Sequence, residues 1–402
     1  MSTRDTWYRW ALGLWALVWL LVYMPGGGYS WHYFAHGSAL LFDGSGASPA
    51  GGLHLYANYP SLQIGPVAFL VAQALRSIGP DNGMVAGQLA MTAVGLLVLH
   101  TLERCAVLAR PDLLRRPTAL RRTVLLGGGL FLVVWESLSV HYGHLDDVLA
   151  LLFAVLAVRA LIADSPALAG LCLGLAADSK PWALAFLPLV LAVPRLRRRH
   201  VAVYAAATVL LAWLPFAIAD PGTLTAAQYA IVNEPSSALR ALGVTSAGTP
   251  SWDRTAQLVL GCGLGVLAVV RRRWPAVLLL GVAARIALDP GVYDYYTAGL
   301  LVGALCWEFL GLRHPVPVWS LAAFTGLHLA PGLIGDASQL GTLRLWTVLL
   351  LTAGVLLLPQ RWCAQEGLPG SATDTITDPA RVIGDVHRLP KRFETVSAGR
   401  SD

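Results

Sequence analysis

Two polar corners interrupt the apolar stretches of this chain, and both carry side chains able to do chemistry. The first reads His141, Tyr142, His144, Asp146 and Asp147, and it opens an apolar run. The second holds Asp178 and Lys180 between two further apolar runs. A third passage, RIALDPGVYDYY, places Arg285 within an apolar segment and follows it with Asp289, Tyr293, Asp294, Tyr295 and Tyr296. One aspartate at a helix start satisfies free N–H groups and favours the dipole. Two acids with two histidines exceed that need. The Asp178/Lys180 pair could simply hold a turn, but lysine is also a good point charge for a phosphate. Arg285 either snorkels to the interface among a belt of tyrosines or meets an anionic lipid phosphate. Ionisable groups gathered at one membrane face point to binding or reaction there.

The elements that position these residues follow from the arginines. Arg195, Arg197, Arg198 and Arg199 close the third apolar run. Lys and Arg concentrate on the cytoplasmic side, so this end is inside and both polar corners are outside. The first span is 7–24, a signal-like start without a small-residue cleavage site before Pro25. A long outer loop, 25–82, contains amphipathic Trp31–Phe42, predicted to lie in the interface plane. The apolar segment 63–78 poses a topological conflict. If it crossed, Arg104, Arg110, Arg115, Arg116, Arg121 and Arg122 would fall outside, so it is expected to dip in and return or to lie along the outer face. The remaining expected spans are 83–103, 122–139, 147–163, 166–178, 181–195, 200–219, 254–270, 274–288, 296–311, 316–333 and 343–360. The expected fold class is an all-α polytopic membrane protein of about twelve helices spanning 1–363, with both termini cytoplasmic. The 166–178 segment is shorter than the roughly 20 residues a span needs, so Lys180 is expected in a recess. A second outer loop covers 220–253, and a polar cytoplasmic tail, 364–402, is expected to be disordered.

The chain has 402 residues, of which 56% are hydrophobic and 13% charged. Soluble proteins carry about 25% charged residues, which sets this chain among integral membrane proteins. Its net charge of +6 reports topology and contact with membrane lipids. The basic clusters lack interleaved aromatic residues, so no nucleic-acid partner is expected. Five scattered cysteines suit neither a disulfide nor a metal site, and a bis-histidine metal site at His141 and His144 is a weak candidate. No HExxH, Walker, GxGxxG or GxSxG pattern is present, and no cofactor is expected.

Three passages give the chain a family likeness: GGLHLYANYPSLQIGPV, GHLDDVLALLFAVLAV with ALAGLCLGLAADSKPWALAFLPL, and LDPGVYDYYTAGLL. Together they resemble GT-C glycosyltransferases, near the polyprenol-phosphate-mannose-dependent mannosyltransferases of actinobacteria. The resemblance implies transfer of a sugar, mannose above all, from a polyprenyl-phosphate carrier to a glycolipid or polysaccharide acceptor outside the cytoplasmic membrane. It implies a carboxylate base, with Asp146, Asp43 and Asp147 as candidates. It further implies that cationic groups hold the leaving phosphate; the candidate substrate-binding residues are Lys180, Arg285, His144, His141, Asp178 and Tyr295. One departure stands out: the family places an acid soon after the first span, whereas GGYSWHYFAHG offers Ser30, His32 and His36, with no acid until Asp43. A lipid or glycan transporter and an inactive GT-C-like scaffold are the alternative functions.

Overall fold

A computed structural model describes residues 7–42, 51–79, 81–293 and 295–364, without the side chains of 227 and 228. The described residues are helical, with only two isolated β-bridges, Val232 to Gly248 and Leu312 to Cys363. In chain order the α-helices are α1 Trp7–Tyr23, α2 Trp31–Phe42, α3 Leu55–Asn58, α4 Pro66–Arg76, α5 Met84–Ala109, α6 Pro117–Glu136, α7 Leu145–Ile162, α8 Pro166–Ser179, α9 Arg195–Ala219, α10 Ala238–Ala241, α11 Asp253–Val270, α12 Val277–Leu288, α13 Tyr296–Cys306, α14 Val318–Phe324 and α15 Ala337–Leu357. Asp43, Asp294 and the tail from residue 365 lie outside the described residues.

Among the described residues five helical stretches are long and apolar enough to cross a membrane: 84–109, 117–142, 195–219, 253–270 and 337–357. Each other expected span also coincides with helix, in shorter or more charged segments. Helix α4 has 11 residues and covers only about 16 Å at 1.5 Å per residue, too little to cross alone. Several expected spans contain non-α segments, and one, 181–195, departs from α-helical form over most of its length. Pro181–Ala192 is a 3₁₀ helix, because Pro181 starts it and Pro188 removes an N–H donor from its middle.

Helix α7 runs through the core. It is apolar around its whole circumference and buried along nearly its whole length, as a helix surrounded by others must be. Helix α8 packs closely on α9 because Gly170 and Gly174 leave no side chain between them. A Cβ at Gly170 would stand 2.3 Å from the Val201 carbonyl oxygen. Such small-residue stripes let helix backbones approach where lipid supplies no hydrophobic drive between helices. At the expected cytoplasmic side, arginines cap helix ends. Arg271 donates to Leu356 O at 2.8 Å, while Arg273 donates to Val355 O and Leu358 O, closing α15. Arg198 donates to Leu191 O and Val193 O at 2.9 Å, closing the 3₁₀ helix. These guanidiniums satisfy carbonyls that have no helical partner and sit at the negative end of the dipole.

Candidate functional site

Backbone features at two corners build the site. After α6 the chain makes a π-helical turn, Ser137–Tyr142, which ends at Gly143 in the left-handed conformation (φ +67°). That reversal delivers His144 as the residue before α7. The loop before α2 is laced to this turn: Gly28 N donates to Val140 O and His141 O, and Ser30 N donates to Tyr142 O. At the second corner, Gly65 N donates to Ser179 O at 3.0 Å, and a Cβ there would stand 1.8 Å from Asp178 O. Only glycine permits this approach, which lays Pro60–Gln63 beside Lys180.

Six of the sequence-predicted residues converge. Lys180 forms a tight ion pair with Asp146, and its Nζ is 3.6 Å from Asp147 Oδ2. The other side of Asp147 accepts from Arg285 at 3.3 Å and from the Trp182 indole at 2.9 Å. Arg285 also contacts Asp289 at 3.5 Å and lies over the rings of Tyr296 and Trp182, at 3.9 and 4.6 Å. His144 Nδ1 is 3.3 Å from Asp146 Oδ1, and the His144 ring packs 3.9 Å from that of Tyr295. Burial alone would lower the Lys180 ammonium, but Asp146 and Asp147 outweigh it and hold its pKa above the ordinary value. His144 follows the same pattern: burial lowers it, and hydrogen bonds to Asp146 and Asp147 raise it further than burial depresses it.

Two expectations about these groups are corrected. One aspartate was expected to satisfy the free N–H groups at the start of α7, leaving the second acid over for chemistry. Instead Asp146 accepts from Asp147 N and from Lys180, Asp147 holds two cations and an indole, and neither carboxylate is free. Arg285 was expected to reach the interface or a lipid. It is turned inward, because buried Asp147 and Asp289 give it partners. Two other candidates lie apart. His141 packs in tilted and edge-on contacts among Tyr23, Tyr29 and Tyr142. Asp178 is fully buried against Trp213 and Tyr56 and does not pair with Lys180.

His144, Asp146 and Asp147 bring three ligand-type atoms within 4.8 Å of one another. The Lys180 ammonium already occupies the place between the carboxylates where a cation would bind, so the donor set is neutralised by the protein's own charge.

A cavity of about 230 Å³ opens beside this cluster. Lys180, Arg254 and Arg285 line it, with Tyr56, Trp182 and Trp213 among its apolar walls. Among the described residues no carboxylate lines it. Asp146, Asp147 and Asp289 stand behind the cations, so the cavity presents positive charge above an apolar floor. Arg254 was missed in the sequence because it was read only as the start of a span. A cation in the first turn of α11 opposes the helix dipole, and that oddity was a usable signal. Ser30 was noticed only for not being an acid, yet its Oγ lies 2.9 Å from His144 Nε2.

No family model and no curated protein matches the chain. The GT-C likeness therefore rests on the three sequence passages alone.

Proposed function

We propose that the chain is a multi-pass enzyme of the cytoplasmic membrane, with about twelve crossings and both termini inside. It moves a sugar, mannose by the motif likeness, from a polyprenyl-phosphate carrier to a glycolipid or polysaccharide acceptor at the outer face. The observation that carries this reading is the cavity: three cations line it, no carboxylate does among the described residues, and its walls are aromatic and aliphatic. That chemistry fits a phosphate attached to a hydrocarbon chain. Lys180 and Arg285 would hold the phosphate and stabilise the negative charge it gains on leaving, while Trp182, Trp213 and Tyr56 would pack the first isoprene units.

The test uses the full chain in lipid nanodiscs with polyprenyl phosphate bearing radiolabelled mannose and a membrane glycolipid extract. Label should pass to new lipid products in wild type. A chain that neither binds nor consumes the donor refutes the reading. A carrier that moves such a lipid across the membrane is the second reading. It is favoured by the engagement of both Asp146 and Asp147 in ion pairs, which leaves neither an idle base. Donor binding without product, together with movement of the lipid between leaflets, would select it.

A further inference from the structure

Lys180, which lines the cationic cavity, is paired with Asp146, and Asp146 ends a hydrogen-bonded chain of three side chains. Ser30 Oγ is 2.9 Å from His144 Nε2, and His144 Nδ1 is 3.3 Å from Asp146 Oδ1 and 3.5 Å from Asp147 Oδ2. Carboxylates only accept, so Nδ1 carries the imidazole proton. In the neutral ring Nε2 is then an acceptor, and the Ser30 hydroxyl donates to it. The ring is fixed between Tyr295, at 3.9 Å, and the edge of Phe34. Ser30 is fixed through its own N–H to Tyr142 O at 2.7 Å.

We propose that Ser30, His144 and Asp146 form a proton relay that takes the hydroxyl proton of the sugar acceptor, with Ser30 as the residue that touches it. This rests on the transferase reading. The acceptor oxygen bonds to the sugar's anomeric carbon as the bond from that carbon to the donor phosphate breaks. The bonding pair leaves on the phosphate, which the cavity cations hold. The acceptor's proton passes to Ser30 Oγ while Ser30's own proton passes to Nε2. The imidazolium that results stands against Asp146 and Asp147, with Lys180 the other charge near it.

Two observations favour this relay over its rivals. Asp146 and Asp147 already balance Lys180 and Arg285, so protonating either would strand a buried cation. Ser30 is also poorly placed as a covalent nucleophile for acyl chemistry. The backbone N–H groups of Gly27 through Trp31 all bond to carbonyls, leaving none of these five to stabilise an oxyanion.

The experiment measures transfer from polyprenyl-phosphate mannose against pH for wild type, Ser30→Ala, Ser30→Thr and His144→Gln, alongside binding of unlabelled polyprenyl phosphate. Loss of a general base costs about 10²–10⁴-fold in rate. Ser30→Ala and His144→Gln should fall in that range with donor affinity kept within a factor of about 2, and Ser30→Thr, which keeps the hydroxyl, should recover most of the rate. The wild-type rate should climb with pH as His144 gives up its proton, and His144→Gln should lose that climb. Transfer by Ser30→Ala and His144→Gln within about threefold of wild type overturns the relay alone. A wild type that binds polyprenyl phosphate but transfers nothing overturns the relay together with the transferase reading. Covalent capture of Ser30 by a fluorophosphonate would make it a nucleophile and overturn the relay.

Discussion

Lys180 and Arg285 share one carboxylate. Asp147 Oδ2 lies 3.6 Å from the lysine, and Asp147 Oδ1 lies 3.3 Å from the arginine. Two cations that the cavity displays side by side are thus held together from behind by a buried anion. Without it their repulsion in a weakly screened setting would drive them apart.

The ion pair between Lys180 and Asp146 sets a stability prediction. A lysine that served only as a point charge for a phosphate would be replaceable by alanine without unfolding. The structure predicts otherwise, because Asp146 is fully buried and would lose its main partner. Breaking a buried pair costs about 3–5 kcal/mol. Lys180→Ala should melt well below wild type in detergent, and adding Asp146→Asn should restore part of the loss. Equal melting of wild type and Lys180→Ala would contradict the burial.

Arg254 separates binding from stability. Its side chain is 30% exposed and its contact with Asp289 is long, at 3.7 Å. Without it, buried Asp289 keeps Arg285 and the Gly291 N–H as partners. Arg254→Ala should leave the melting temperature nearly unchanged while weakening polyprenyl phosphate binding about tenfold, which is about 1.4 kcal/mol. Unchanged affinity, measured by titration into nanodiscs, would remove Arg254 from the phosphate site.

His144 sets a pH dependence. Its folded pKa is raised, burial being overcome by Asp146 and Asp147. A raised basic group stabilises fully below its unfolded value, about 6.5, and that contribution is lost as pH rises through the higher folded value. The melting temperature of wild type should therefore exceed that of His144→Gln most at pH 5–6, with the gap narrowing as the solution becomes alkaline. A gap that widened with pH would reverse the sign and refute the assignment.

Topology can be read with an impermeant thiol reagent on single-cysteine variants. Tyr29, 60% exposed beside the site, marks the expected outer face, and Arg272, in the α11–α12 turn, marks the inner one. Tyr29→Cys should label in intact cells, and Arg272→Cys should label only after the membrane is opened. Labelling of Arg272→Cys from outside would invert the orientation.

The polar corners were legible because charged residues stand out against apolar runs, and Lys180 was placed in a recess by the shortness of α8. The pairing was not legible. Asp178 is two residues from Lys180, yet Lys180 bonds to Asp146, because the 3₁₀ turn after Lys180 and the packing of α7 on α8 bring distant residues closer than sequence neighbours. Ser30 and His144 lie 114 positions apart and meet through backbone bonds between the Gly28 loop and a π-turn, neither of which has a hydropathy signal. Pro188 did announce the break in helical form that the even apolar pattern of 181–195 concealed.

The arginine caps of α15 bear on how the chain matures. Arg271 and Arg273 precede α15 by more than sixty residues, and the carbonyls they hold, those of Val355, Leu356 and Leu358, lie 82 to 85 positions further along and leave the ribosome later. Until then both guanidiniums lack these acceptors, so the two arginines form a clasp that only a chain extended through α15 can fasten. A chain stopped before Val355 should insert correctly yet be cleared quickly by membrane proteases, which pulse–chase labelling would measure.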